Sequence, residues 1–186
     1  MADFNEAHRK TQIIEGGYVN NRSDRGGETY KGIARKYHSG WEGWDIIDKI
    51  KQIKVIRRNE IVKDKILDKM VDDFYKLNFW DANNLDNIEN QNIAEELFDT
   101  GVNMGTMVAA KFLQISLNLF NRDERDFKNL IVDGFIGKNT LKVVNSLPYQ
   151  AAIFKALNGL QFMRYIDICE SDESQEVFFR GWLKRI

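Results

Sequence analysis

Residues 15–33 read EGGYVNNRSDRGGETYKGI, and this stretch decides how the first half of the chain folds. The residues before it have the apolar spacing of a helix that begins at an Asp3 cap. The Gly16-Gly17 pair ends that helix, because glycine readily adopts the backbone conformations found beyond a helix C-terminus. This places Glu15 in the last helical turn. The turn-forming residues that follow predict a small β-hairpin, which we call the wing.

The rest of the chain has mostly helical apolar spacing and only one proline. Helices are predicted over 33–38, 44–51, 59–79, 92–102, 106–120, 140–146 and 150–170. The helix over 59–79 has a predicted core-facing stripe of Ile66, Met70, Phe74 and Leu77. The predicted fold class is therefore mainly α, with a small β-hairpin wing after the first helix. A boundary near residue 90 gives an N-terminal lobe (1–90) and a helical C-terminal lobe (91–186), which we expect to share a core, with the aromatic tail packed back on the body.

Composition excludes several classes of protein. With 43% hydrophobic and 12% aromatic residues, the 186-residue chain can bury a core, so general disorder is excluded. The 27 basic and 28 acidic residues nearly cancel, which argues against a nucleic-acid protein that binds by bulk charge. One cysteine and two histidines cannot form an intrachain disulfide and disfavour a zinc site or a Cys/His nucleophile pair. No metal and no cofactor are predicted.

The N-terminus shows no apolar run of signal-peptide length, and no stretch of about 18 apolar residues predicts a membrane span. We therefore expect synthesis in the cytoplasm without a recognisable signal peptide.

Glu15 is the first candidate for catalysis. The negative end of the helix dipole disfavours an ionised carboxylate at a helix C-terminus, and packing of neighbouring apolar groups would add desolvation. Both effects raise the pKa of a carboxyl group. A glycosidase needs such a protonated acid to protonate its leaving oxygen. The alternative interpretation is an ordinary solvated glutamate at a helix end.

Asp24 and Thr29 follow Glu15 by nine and fourteen positions, and a wing that folds back could bring both toward it. Asp24 could then hold a water as base, with Thr29 orienting that water. An inverting enzyme would separate the two carboxyl groups by about 6.5–9.5 Å. Asp24 equally suits an Asx-turn that shapes the loop. Glu28, a third carboxylate in the wing, is predicted to be a solvated surface residue.

The wing resembles the signature of glycoside hydrolase family 108, a family of phage and bacterial N-acetylmuramidases. That signature is E-G-G-Y followed by D-x-G-G-x-T-x-x-G-I, and residues 15–18 and 24–33 match it. The resemblance continues with Phe79-Trp80, with Phe98–Gly105 (F-D-x-x-V-N-x-G), with Leu113-Gln114 and Asp133–Thr140 (D-G-x-x-G-x-x-T), and with Gly181–Arg185 (G-W-L-x-R). The chain departs from the family at Arg25, where proline is usual, and at the charged stretch Arg122–Lys128, which resembles an insertion.

The resemblance implies a lysozyme-like helical fold with a peptidoglycan-binding-like C-terminal lobe. It implies that Glu15 is the catalytic acid, with Asp24 and Thr29 assisting. The implied reaction is hydrolysis of the β-1,4 bond between N-acetylmuramic acid and N-acetylglucosamine. The implied partner is the glycan strand of peptidoglycan, reached at the cell wall after export or lysis.

The candidate substrate-binding residues are Tyr18, Tyr30, Trp80 and Asn103, because aromatic rings stack on sugars and amides bind their hydroxyl and acetamido groups. Trp80 also suits a core position. Asn103 is expected to be a buried amide, held by Asp99 one turn earlier or satisfied by the backbone.

Two other functions remain open from the sequence. A lytic transglycosylase would use the same substrate and a single glutamate, but would leave a 1,6-anhydro end. A non-catalytic cell-wall-binding or secretion-assisting protein would keep the wall affinity without turnover. The sequence does not indicate the anomeric outcome, the biological origin, the export route or the oligomeric state.

Overall fold

The computed structural model describes residues 1–12, 16–21 and 27–186. The described residues form eight α-helices and one small antiparallel sheet. The strands are β1 (Tyr18–Asn20), β2 (Glu28–Tyr30) and β3 (Ile33–Ala34), and the helices are α1 (Phe4–Gln12), α2 (Gly43–Ile53), α3 (Lys65–Tyr75), α4 (Gln91–Met104), α5 (Thr106–Phe120), α6 (Lys138–Ser146), α7 (Gln150–Ser171) and α8 (Glu176–Trp182). The chain divides into a wing unit, His8–Leu77, and a helical unit, Met1–Ala7 with Asn78–Ile186.

The predicted wing is confirmed and has a third strand. β1 and β2 pair with Val19 opposite Thr29, and β2 pairs with β3. Lys31 and Gly32, between β2 and β3, both have positive φ angles of 44° and 78°. A two-residue turn of this kind matches the twist of the flanking strands and reverses the chain. The helix predicted over 33–38 is therefore wrong, because the chain returns as β3 and a turn.

The helix predicted over 59–79 begins later than expected. Asn59 has a left-handed φ of 62°, and α3 starts only after Asp64, whose carboxylate caps the backbone N–H groups of Ile66 and Leu67. A π-helical turn, Lys76–Trp80, follows α3. The helix thus ends near the predicted place but is shorter at its start.

The buried face of α3 is also not the predicted one. Leu67, Val71 and Tyr75 are buried, whereas Ile66 and Leu77 are 64% and 67% exposed. The two rows of side chains have the same helical spacing and are offset by about one position. Only packing distinguishes them. Met70 and Phe74 of the predicted stripe are half-buried, and the prediction is wrong at Ile66 and Leu77.

The helical unit is built on α4, α5 and α7. Its core contains Trp80, whose ring meets those of Phe4 and Phe98 edge to face, with centroids 5.7 and 5.8 Å away. The predicted Asp3 cap is confirmed, since its carboxylate accepts from the backbone of Asn5 at 2.7 Å. The helices predicted after residue 90 are confirmed within a few residues.

The C-terminal tail packs back as predicted. Trp182 stacks on Tyr165 of α7 with ring centroids 5.0 Å apart, and Phe179 lies 6.3 Å from Phe162. Among the residues that the structure describes, no helix has the length and apolar character to cross a bilayer.

Candidate functional site

The structure describes only part of the predicted catalytic set. Glu15 and Asp24 both lie outside the described residues. Thr29 is in β2, half-buried, between Val19 of β1 and Ala34 of β3. Because side chains alternate along a strand, Thr29 is on the sheet face opposite to that of Glu28 and Tyr30.

Gly17 and Tyr18 are held close to the backbone of residues 59–60. The Tyr18 N–H donates to the Glu60 carbonyl at 3.0 Å, and the Asn59 N–H donates to the Tyr18 carbonyl at 2.7 Å. A Cβ atom on Gly17 would lie 2.5 Å from the carbonyl oxygens of Asn59 and Glu60. Only glycine allows this approach, which fixes the chain two residues after Glu15. The third position of the E-G-G-Y motif must therefore be glycine, because a side chain would collide with the backbone of residues 59–60.

We expect Gly17→Ala to lower the free energy of unfolding by about 1–3 kcal/mol, the usual cost of overpacking. Backbone carbonyls cannot rotate away as a flexible side chain can, so the segment after Glu15 must shift. Urea denaturation and peptidoglycan solubilisation would both report the change. Gly40→Ala is the matched control, because nothing lies within 4 Å of its added Cβ atom. Equal stability of the two variants would contradict the prediction.

Glu28 belongs to a charged cluster rather than to a solvated surface, so that prediction is wrong. Its carboxylate accepts from the Tyr18 hydroxyl at 2.7 Å and from the Lys51 ammonium at 2.8 Å. The Arg35 Nε lies 3.1 Å from its other oxygen, within ion-pair distance. Arg35 also binds both oxygens of Asp48, at 3.0 and 2.8 Å. We call these five side chains the wing charge cluster.

Hydrogen bonds within the wing charge cluster favour the charged forms of Asp48 and Lys51. The hydrogen bond from Arg35 lowers the pKa of Asp48, and the hydrogen bond to Glu28 raises the pKa of Lys51. Burial, followed by the bond to Glu28, raises the pKa of the Tyr18 hydroxyl. The oxygens of Glu28 are thus occupied by a phenol and two cations, which ties β2 to α2 and assigns this carboxylate a structural role.

Tyr30 and Trp80 are buried with no exposed surface. The Tyr30 hydroxyl donates to the Val62 carbonyl at 3.4 Å, and burial raises its pKa to about 12. The Trp80 indole donates to Asp86 at 2.6 Å. Rings without exposed surface cannot stack on a sugar in this conformation, so the structure places both in the core.

Tyr18 and Asn103 differ in exposure. Tyr18 is only 5% exposed, and its hydroxyl is bound to Glu28. Asn103 is exposed rather than buried as predicted, and its amide donates to the backbone and side chain of Asp99 at 2.8 and 3.1 Å. The predicted contact with Asp99 is confirmed.

Comparison with known proteins identifies the wing and the helices after it. Residues 8–105 match the glycosyl hydrolase 108 family, and these 98 residues are more than half of the 186-residue chain. The chain belongs to glycosyl hydrolase family 108. Residues 108–186 of this family 108 protein match a predicted peptidoglycan domain. Together the two matches support a glycoside hydrolase that acts on peptidoglycan, with the mainly α, lysozyme-like fold expected from the sequence.

The fold of the family 108 chain resembles that of a solved structure, SagA of Brucella abortus. The TM-score is 0.65 at 24% identity, and the match covers 98% of this chain and 88% of SagA. At this identity the likeness concerns the fold alone. No curated protein matches the sequence. The first family match ends at residue 105 and the second begins at residue 108. The lobe boundary near residue 90 stays a prediction.

Two motifs of the family 108 chain meet in the helical unit. Arg185, of the G-W-L-x-R segment, forms a 2.7 Å ion pair with Asp99, of the F-D-x-x-V-N segment. The two side chains are only 8% and 15% exposed, and the Gln161 amide donates to the second Asp99 oxygen at 3.1 Å. These motif residues therefore join the C-terminus to α4.

Glu96 is a buried carboxyl that the sequence analysis missed. It is 5% exposed. With its amide oriented to satisfy both groups, Asn158 of α7 donates a hydrogen bond to the Glu96 carboxyl at 2.8 Å. Burial, followed by the charge of Asp99, raises the pKa of Glu96 to about 8. Its position between α4 and α7 keeps it from a polymeric substrate. A glutamate among Ile93, Ala94 and Leu97 was the available sequence signal.

The raised pKa of Glu96 predicts a pH-dependent stability. Between about pH 4.5 and 8 the folded protein retains a proton that the unfolded chain has released, so the free energy of unfolding falls as pH rises. The slope would be at most about 1.4 kcal/mol per pH unit. Urea denaturation across this window would measure it, and Glu96→Gln should flatten the slope. The exposed Glu89→Gln is the control, and an unchanged slope in Glu96→Gln would refute the assignment.

Proposed function

We propose that this chain is an N-acetylmuramidase. It hydrolyses the β-1,4 bond between N-acetylmuramic acid and N-acetylglucosamine in peptidoglycan, with Glu15 as general acid. The proposal is supported by the family 108 match across residues 8–105 and by the E-G-G-Y and D-x-G-G-x-T segments within it. The match to a predicted peptidoglycan domain supports the substrate. The enzyme would act at the cell wall after export or lysis.

The observation that carries the proposal is how the described residues connect the Glu15 and Asp24 segments. Gly17, two residues after Glu15, is fixed against residues 59–60. The Asn21 N–H donates to the Gly27 carbonyl at 3.3 Å, so the ends of the segment that contains Asp24 lie side by side. The hairpin also pairs Thr29 with Val19, next to Tyr18. These bonds hold the described residues that flank Glu15 and Asp24 within the wing unit, which supports the proposed roles.

The proposed mechanism uses side chains alone. Glu15 donates its proton to the glycosidic oxygen as the bond breaks and positive charge develops on the sugar ring. Asp24 holds the attacking water, or stabilises that charge, and the Thr29 hydroxyl orients the water. The water adds to the anomeric carbon and gives up a proton to Asp24, so the product has a reducing end. No metal ion and no cofactor takes part in these steps.

Analysis of the products tests the proposal. Purified peptidoglycan is incubated with the full chain, and the released muropeptides are examined by mass spectrometry. A muramidase adds water and leaves reducing N-acetylmuramic acid ends. A lytic transglycosylase would instead leave 1,6-anhydro ends, each lighter by one water. Binding to the insoluble wall without any release would indicate the non-catalytic alternative, and either of these last two results would overturn the proposal.

A further inference from the structure

A groove of about 1020 Å³ lies in the part of the chain matched to the peptidoglycan domain. One wall is the loop between α5 and α6, and the other is α6 with the residues that follow it. We call this the C-terminal groove, and its lining includes Lys128, Ile131, Phe135, Lys138, Lys142 and Tyr149.

The loop wall is held in place by amide side chains of α5. The Asn118 side chain binds both the N–H and the carbonyl of Leu130, each at 2.8 Å. Gln114 accepts from the Gly134 N–H at 2.9 Å and donates to Asp133 and Phe135. These bonds hold the loop from within the protein, so the groove is preformed, as binding pockets usually are.

The charge of the C-terminal groove is positive. Its lining has four basic residues (Arg122, Lys128, Lys138, Lys142) and two acidic ones (Asp126, Asp133), a net charge of +2, whereas the whole chain has −1. Arg122 and Asp126 are paired with each other at 2.9 Å, and Asp133 is bound by Gln114 and the Phe135 N–H. Within the part of the chain that the structure describes, the three lysines form no ion pair.

The same groove has an apolar wall. Ile131, Phe135 and Tyr149 are 80%, 60% and 44% exposed. Large apolar side chains that share one exposed groove indicate a binding surface. The occupant should therefore combine negative charge with small apolar groups.

We propose that the C-terminal groove binds the peptide stem of peptidoglycan, through the stem's free carboxylates on the lysines and its methyl groups on Ile131 and Phe135. This inference rests on peptidoglycan as the proposed substrate. The sugars of the glycan strand are uncharged, because the lactyl carboxyl of N-acetylmuramic acid is amide-bonded to the stem. The stem, in contrast, contains glutamate and terminal carboxylates next to alanine methyls. Charge complementarity therefore favours the stem over the glycan.

The charged stretch Arg122–Lys128, by which this chain departs from the family pattern, contributes to the groove. Arg122 and Asp126 neutralise each other. Lys128 adds one of the three lysines that form no ion pair with the described residues. This stretch thus shapes the groove toward an anionic peptide.

Calorimetric titration of the full chain tests the proposal. The ligands are a synthetic stem pentapeptide, the same peptide with its carboxylates amidated, and uncharged chitotetraose. We expect the free peptide to bind, and amidation or the double change Lys138→Gln and Lys142→Gln to weaken binding about tenfold or more. Lys155→Gln, on the exposed side of α7 and outside the groove, is the matched control.

Two results would overturn the inference: peptide binding that is unaffected by the lysine changes, or chitotetraose binding that those changes abolish. Circular dichroism of each variant confirms folding. The stem peptide contains no glycosidic bond, so its titration tests stem binding independently of the proposed hydrolysis.

Discussion

Glu15→Gln is expected to abolish the release of soluble fragments from purified peptidoglycan, with a rate at least about 10²–10⁴-fold below that of the unchanged chain. Glutamine keeps the shape of the side chain but has no proton to donate to the glycosidic oxygen. The sugar would then have to leave as an unprotonated alkoxide. Turbidity clearance and quantification of soluble muropeptides would both measure this effect.

The design separates catalysis from folding. Thermal unfolding of Glu15→Gln should match that of the unchanged chain, since glutamine has the shape of the proposed protonated acid and carries no charge. Glu42→Gln, on an exposed glutamate at the start of α2, is the matched control and should retain full activity. Asp24→Asn and Thr29→Val should give intermediate losses, because they position water rather than donate the proton. If Glu15→Gln clears the wall as fast as Glu42→Gln does, the proposed acid is wrong.

The second large effect is expected at Arg185. Arg185→Ala removes the cation from a carboxylate, Asp99, that is only 15% exposed. Removing one partner of a buried ion pair generally costs about 3–5 kcal/mol, because the remaining charge stays without compensation. We expect the lower part of this range, since Asn103 and Gln161 still donate to Asp99. Urea denaturation at neutral pH would measure it.

A double-mutant cycle makes the Arg185 result specific. Asp99→Asn combined with Arg185→Ala should be less destabilised than the sum of the single changes, because no uncompensated charge remains. Lys184→Ala, on the exposed neighbour, should change stability by less than about 0.5 kcal/mol. Additive single effects would show that the 2.7 Å pair does not couple the tail to α4.

Local signals were sufficient for most of the fold. The Asp3 cap and the turn residues of the wing predicted elements that the structure confirms, because capping and positive φ angles are decided by the residue and its immediate neighbours. The helices after residue 90 follow from their apolar spacing. The order of motifs likewise indicated the family, which the match across residues 8–105 confirms.

Local sequence signals did not predict which side chains are buried or which side chains pair with each other. The face of α3 that packs is Leu67, Val71 and Tyr75 rather than the neighbouring row, and the spacing of apolar residues is the same for both. From the sequence, Trp80 suited either a core position or a substrate-binding cleft. Its contacts with Phe4 and Phe98 place it in the core. These outcomes depend on which segments meet, and helical periodicity contains no information about the partner.

The sequence by itself determined the family, the mainly α architecture with its wing, and the candidate acid at Glu15, because those depend on short motifs and on local backbone preferences. Only the tertiary structure decided that Glu28 is paired with Arg35 and Lys51, that Glu96 is buried with a raised pKa, and that Asp99 meets Arg185. Electrostatic energy and desolvation depend on distances between groups that are far apart in the chain. Asp99 and Arg185 are separated by 86 positions in the sequence, and only folding brings their side chains within 2.7 Å of each other.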